Sequence, residues 1–254
     1  MMLTVQKRLL DFLLPQAENI TINDVRIGLG YTAVKIEGGY GGVAWTPPPS
    51  APCCTHFAKA GTLIGRPAKE LLTMLGEEAS ALARAVGLAT ANALLASLPK
   101  PPVLEEEVIS ALQITADDRV AMVGYFGPVI AQLQKTGCQL DILELHAKHA
   151  DTLPPEKTGE VLGGCTVAII TGTSLINGTF DELLSALEAP RAAVVLGPSS
   201  PLCGEIFHDT KITHVAGARV RDTNAVLRIV SEGGGTMLMK PHLDFAAVRT
   251  GLSD

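Results

Sequence analysis

A chain of 254 residues, 47% hydrophobic, 18% charged and 4% aromatic, can fill one large or two modest cores, and this composition excludes a disordered or low-complexity protein. A net charge of -6, with no Lys/Arg cluster interleaved with aromatics, excludes a nucleic-acid partner and an anionic-membrane partner. No stretch approaches the roughly 18 apolar residues of a membrane span, and five irregularly spaced cysteines argue against a secreted disulfide framework, so a cytoplasmic protein is expected.

The opening MMLTVQKRLLDFLLPQ has apolar residues at 3, 5, 9, 10, 13 and 14, interrupted by Lys7, Arg8 and Asp11. That spacing predicts an amphipathic helix rather than a signal peptide. Residues 20 to 46 then alternate short β-prone runs with turns, which predicts an antiparallel meander ended by Pro47, Pro48 and Pro49. Its glycines, Gly28, Gly30, Gly38, Gly39, Gly41 and Gly42, read as turn residues or as a strand edge that admits a close neighbour. Tyr31 and Thr32 would supply hydroxyls there. Residues 67 to 97 are Ala/Leu-rich and helical, broken near Gly76. In that apolar run Asn92 is a buried amide that needs partners, from a loop backbone or from a pocket.

LPKPPVLEEE, residues 98 to 107, is the most linker-like stretch, because its prolines stop the helix and force an extended path. The boundary placed there divides an α+β domain, residues 1–100, from a second domain, residues 101–254. Beyond it the apolar runs RVAMVGYF, QLDILEL, CTVAIITG, RAAVVLGP and KITHVAGA alternate with helical segments, the pattern of a Rossmann-like parallel sheet with helices on both faces.

In such a sheet ligands bind outside the carboxyl ends of the strands. Those ends carry Gly124-Tyr125-Phe126-Gly127-Pro128, Glu144 with His146, Thr171-Gly172-Thr173-Ser174, Gly197-Pro198-Ser199-Ser200, and Gly217. Glycines and hydroxyls on adjacent ends suit a small polar or anionic molecule. Glu144 falls 20 residues after Gly124, near where a dinucleotide fold places its ribose-binding acid. A G-x-G-x-x-G from Gly124 would need glycine at Phe126 and Val129, so a tight turn is read ahead of a nucleotide or S-adenosylmethionine site. Thr179, three residues before Glu182, predicts a capping box, and Asn177-Gly178 reads as a turn ahead of a ligand contact.

Cys53, Cys54 and His56 place two thiols and an imidazole within four residues, a donor set for a thiophilic metal ion, although the pair-and-pair spacing of a closed zinc site is absent. His146 and His149, with Glu144 and Asp151, form a second group of donors that reads first as a solvated loop. The chain has no G-x-S-x-G, H-E-x-x-H or P-loop pattern.

The runs RIGLGYTAVKIEGGYGGVAW, GLATANALL, VGYFGPVI, ITGTSLINGTFDELL and LGPSSPL together resemble the DUF4213/DUF364 family, across nearly the whole chain. The resemblance implies an N-terminal domain similar to that of enolase, without enolase chemistry, joined to a Rossmann-like domain with a cleft between them. It implies a role in heavy-metal chelation, through a metal ion or a metal-chelating metabolite, with no assigned reaction or catalytic residue. Matching motif positions give Tyr31, Thr32, Asn92, Gly124, Phe126, Gly127, Pro128, Thr171, Gly172, Asn177, Gly178, Thr179, Gly197 and Pro198 as cleft residues. A homodimer is the default expectation for a soluble protein of this size.

Overall fold

The computed structural model describes residues 3–48, 56–77, 80–145 and 149–251. Helix α1 (Val5–Leu13) starts where the Thr4 hydroxyl accepts the Lys7 amide, and it buries Val5, Leu9 and Leu13 on one stripe. Strands β1 (Ile22–Ile27), β2 (Tyr31–Ile36) and β3 (Gly41–Trp45) form the expected antiparallel meander. Helices α2 (Ala68–Leu72) and α3 (Ala81–Ser97) follow, the second capped by the Ser80 hydroxyl on the Ala83 amide. The stretch 98 to 107 contains no helix or strand, as its prolines dictate.

After a short α4 (Val108–Ala111) come β4 (Arg119–Val123), α5 (Gly127–Leu133), β5 (Gln139–Leu143), β6 (Thr152–Leu153) and α6 (Thr158–Gly164). The chain continues through β7 (Val167–Thr171), α7 (Ser174–Asn177), α8 (Phe180–Ala186), β8 (Ala192–Leu196) and β9 (His214–Val220). It closes with α9 (Thr223–Ser231), α10 (Thr236–Met239) and β10 (Leu243–Arg249). The second sheet has the order β10-β9-β8-β7-β4-β5-β6. All its pairs are parallel except β10 with β9, an antiparallel edge that the sequence reading did not anticipate.

Side-chain alternation in the parallel strands sends Val120, Met122, Ile142, Val167, Ile169 and Val194 to the face covered by α4 and α5. Ala121, Leu143, Ala168, Ile170, Ala193 and Val195 join the opposite core, which also contains Leu162 of α6, Phe180 of α8 and the inner stripes of α1 and α3. The small sheet is covered twice as well. Val34, Ile36 and Ala44 belong to that same large core, whereas Ala33 and Val43 pack with Ala218, Val226, Leu227, Val230 and Met239 from β9, α9 and α10. The chain's last third thus completes the environment of its first.

Close approach explains two of the meander glycines. A Cβ on Gly42 would overlap the Ala89 carbonyl oxygen and the Ala93 amide nitrogen and lie 2.7 Å from the Asn92 carbonyl carbon, so β3 and α3 pack backbone to backbone. One on Gly28 would overlap the Val230 carbonyl of α9. Gly217, expected at a strand end, lies inside β9, where its missing side chain admits the Ser200 carbonyl.

The capping box at Thr179 does not form. Thr179 has near-helical angles (φ -95, ψ -4) and no side-chain cap bond, because α7 has just ended at Gly178 in the left-handed region (φ 79), and the Gly178 and Thr179 amides both turn back to the Ser174 carbonyl. Asn177-Gly178 is accordingly the turn read from sequence. Thr179→Ala should change stability by less than about 0.5 kcal/mol, whereas Asp222→Ala, which removes the carboxylate that accepts the Ala225 amide at the start of α9, should cost about 1 kcal/mol. Urea denaturation of the two variants, side by side, makes the comparison.

Candidate functional site

From β4 the chain passes through α5 to β5 on one side, then returns through α6 to β7 on the other side of β4. The strand order therefore switches between β4 and β7, and the crevice outside their carboxyl ends is where open α/β sheets take ligands. Gly124 (φ 93) leaves β4 there, and Gly197 (φ 116) leaves β8. Positive φ at both turns favours glycine.

Their amides are not free for a ligand. Gly124 donates to Leu143 at 2.9 Å, Gly172 to Leu196 at 3.0 Å and Gly197 to Ala216 at 3.0 Å, so each extends the sheet by one more bond. The Phe126 ring lies 3.6 Å from where a Cβ would stand on either Gly124 or Gly197. An aromatic ring thus packs against both glycine turns.

What the ends offer is hydroxyls. Thr171 and Thr173 share a hydrogen bond of 3.1 Å, and the Ser174 hydroxyl donates to the Thr171 carbonyl at 2.6 Å. Ser199 accepts the Trp45 amide at 2.9 Å. Ser200 is 1% exposed and its Oγ has no hydrogen-bond partner among the described residues, whereas the buried Thr32, Thr90, Asn92, Asp118, Ser174 and Ser199 side chains all do. A Cβ on Gly172 would meet Ser200 at 2.5 Å from Oγ and 2.8 Å from N. Glycine is therefore required beside that hydroxyl.

The first-sheet candidates reach the same region through structural bonds. The Asn92 amide donates to the Val43 carbonyl at 2.9 Å and to the Ser199 carbonyl at 3.3 Å, and Thr32 bonds Thr46 at 3.0 Å. Asn92 and Ser199 thus satisfy the outer edge of β3 in place of another strand. Tyr31 points elsewhere, to Thr236 at 2.7 Å, and burial pushes its phenol up from the ordinary value. Glu144 stands one strand away, at the end of β5, its amide on the Leu153 carbonyl. The structure brings Gly124, Phe126, Thr171, Gly172 and Gly197 together; Gly127 and Pro128 begin α5, Pro198 continues the β8 turn, Asn177 ends α7, and Gly178 and Thr179 link it to α8. Sequence reasoning noted Ser199 and Ser200 without singling them out, and it passed over Trp45 and Thr46. Two adjacent hydroxyls after a strand-terminal glycine were the signal for the serines.

The thiophilic set is not assembled in what can be described. Cys53, Cys54 and His146 lie outside the described residues, and His56 is exposed. Among the described residues no three His, Cys, Asp or Glu side chains are grouped to hold a metal ion. Cys138, Cys165 and Cys203 are free, and burial, with the Glu205 carboxylate beside it, pushes the Cys203 thiol up to about 12. Such a thiol is not a nucleophile at neutral pH. Tyr125 stacks on His149, ring centres 3.8 Å apart, at the mouth of the β4 turn.

A family model described as "Putative heavy-metal chelation", DUF364, matches residues 107–249, and a second with the same description, DUF4213, matches residues 10–95. The chain belongs to the DUF364 family. It is 24% identical over 245 residues to the uncharacterized protein MJ0500 of Methanocaldococcus jannaschii, with 93% of each sequence covered. Its fold is that of a DUF364 protein of unknown function from Pyrococcus horikoshii, with a TM-score of 0.84 at 22% identity, covering 97% of this chain and 100% of the other. A DUF364 protein from Desulfitobacterium hafniense gives a TM-score of 0.79 at 19% identity, covering 95% and 98%. The DUF364 match begins at the end of the proline-rich stretch and takes in the seven-stranded sheet; the DUF4213 match takes in the meander and most of α3. No described helix is long and apolar enough to cross a membrane.

Proposed function

We propose that this DUF364 protein binds a small polar molecule in a cleft at the carboxyl ends of β4, β7 and β8, with the meander as one wall. The observation that carries the proposal is the Ser200 hydroxyl, buried beside the strand-order switch without a partner among the described residues. Leaving such a group unpaired costs about 1 to 3 kcal/mol, a burden that active and binding sites commonly retain.

Charge narrows the ligand. Among the described residues, the loops that leave β4, β7 and β8 (124–126, 172–173 and 197–200) carry no Lys or Arg, and Glu144 is the nearby carboxylate. Hydroxyls, one carboxylate and the Tyr125-His149 stack favour an uncharged or cationic polar molecule, or a metal-chelating metabolite with those properties, over a phosphate ester. The three described free cysteines support a reducing, cytoplasmic setting for it. The family description supports a connection to heavy metals, carried by the ligand rather than by a described protein site.

Ser200→Ala tests the proposal in two directions at once. Removing an unpaired buried hydroxyl should raise stability in plain buffer by about 1 kcal/mol. The same change should abolish the rise in melting temperature produced by the best ligand from a panel of uncharged polyols, amines and polyamine complexes of metal ions, measured by scanning fluorimetry. A loss of stability in buffer, with the ligand response kept, would show that the hydroxyl serves the fold alone.

A further inference from the structure

A second concave surface lies away from the strand ends just described. It is a groove of about 390 Å³ under α6, against the amino-terminal halves of β4 and β5, and its polar walls are Arg119, Gln139, Asp141, Lys157 and Glu160. In the parallel register Arg119 pairs with Gln139 and Ala121 with Asp141, so Arg119 and Asp141 are diagonal neighbours on one face. A carboxylate at Asp141 is out of place on that face of β5, where Leu143 further along is core.

The other charges are already matched. Lys157 pairs with Glu160 at 2.6 Å, and the Gln139 amide donates to Asp141 at 2.9 Å. Arg119 is fixed by its backbone, whose amide donates to the Thr166 hydroxyl at 3.0 Å and whose carbonyl accepts the Thr166 amide at 2.9 Å. Its guanidinium makes no hydrogen bond or ion pair among the described residues, and no ion pair joins it to Asp141. Two opposite charges therefore stand on neighbouring strands, across a groove, without closing on each other.

We propose that this groove binds a small zwitterion of the amino-acid class, its carboxylate on the Arg119 guanidinium and its ammonium on the Asp141 carboxylate. Diagonal positions on adjacent strands lie about 7 to 8 Å apart, near enough for one small molecule to make a hydrogen bond with each of the two side chains. Arginine presents a planar fork that matches a carboxylate, and an aspartate accepts from an ammonium. The groove shares no residue with the strand-end site, so the two proposals stand or fall separately.

The test uses the full chain with each of the twenty common amino acids at about 10 mM, tyrosine at saturation, concentrations that fill most sites of millimolar affinity or better. Acetate, methylamine and inorganic phosphate, each carrying charge of one sign only, serve as controls. At least one amino acid should raise the melting temperature and titrate calorimetrically, and the three controls should not. Arg119→Gln and Asp141→Asn, both surface changes that leave the backbone bonds intact, should each weaken that binding by about tenfold or more while melting like the parent. Silence from all twenty amino acids overturns the proposal. So does equal binding of phosphate that responds to Arg119→Gln but not to Asp141→Asn, which would make the groove a plain anion site, and so does amino-acid binding that neither variant changes.

Discussion

Gly42→Ala should destabilise the protein by about 3 kcal/mol, the upper end of what added bulk costs in a packed interior. An alanine in a strand is ordinarily better than glycine by roughly 0.5 to 1 kcal/mol, because it loses less backbone freedom on folding. Here the clash wins, since the new methyl would meet main-chain atoms of Ala89, Asn92 and Ala93, and α3 cannot give way without leaving the core it shares with β2 and β3. Gly30→Ala is the control: no described residue lies within 4 Å of its added Cβ and its φ is not in the left-handed region, so stability should stay within about 0.5 kcal/mol. Guanidinium denaturation that leaves Gly42→Ala equal to the control would show that β3 and α3 are not in backbone contact.

The second large effect concerns Asp118, just ahead of β4. Its carboxylate receives two bonds from Arg191, from Nε at 3.0 Å and Nη2 at 2.7 Å, together with the Thr115 amide at 2.9 Å and the Thr166 hydroxyl at 2.7 Å. The fork of Arg191 at its side holds the Asp118 carboxyl well below the usual carboxylate range, despite a burial that would raise it. Asp118→Asn keeps the shape and removes the charge. It should cost about 2 kcal/mol at neutral pH, below the 3 to 5 kcal/mol of a fully buried pair because 43% of the Arg191 side chain is exposed and solvated.

The pH dependence has a definite sign. A carboxyl whose folded-state value is depressed contributes stability that is fully present above its unfolded value, near 3.9, and that fades as pH falls below it. Wild type and Asp118→Asn should therefore differ by a constant amount between pH 5 and 8 and draw together in acid, below about pH 4. A gap of the same size in acid would mean that the charge at Asp118 is not what the asparagine variant loses.

The parts of the fold legible in the sequence were those set by local pattern. Apolar runs such as VAIIT and AAVVL, short and bounded by turn residues, read as strands covered on both faces, and the prolines at 101 and 102 stop the preceding helix. The meander glycines were legible as permission for close approach, but not with whom, because Gly42 meets α3 and Gly28 meets α9, the latter about two hundred residues away. Strand β10 was missed because LDFAAVR lacks the continuous apolar character of its parallel neighbours, having one solvent-facing stretch at Asp244 and Phe245. The Thr179 capping box failed for a related reason. A pattern of residues three apart describes a helix start in isolation, and here the preceding turn of α7 had already fixed the backbone of Thr179.

At the strand ends, the sequence identified the glycines and hydroxyls but not their bonds. Three glycine amides that looked available are consumed by the ladder, and Asn92, Thr32 and Tyr31 are tied to protein partners. The feature that singled out Ser200 is a missing bond, which depends on the three-dimensional neighbourhood of one atom and leaves no trace in composition or spacing.

The covering of the meander by α9 and α10 carries a consequence for how the protein comes into being. A ribosome delivers β1, β2 and β3 first, at about 5 to 20 residues per second, yet Ala33 and Val43 find Val226, Leu227, Val230 and Met239 only after nearly two hundred further residues have been made. For that interval one face of the newborn sheet stays open to other chains. Helix α1 waits too, because the carboxylate that receives its Val5 amide belongs to Asp181 and the carbonyl that accepts Gln6 belongs to Leu175. The burial of the first sheet and the anchoring of α1 therefore wait on the synthesis of α7, α8, α9 and α10.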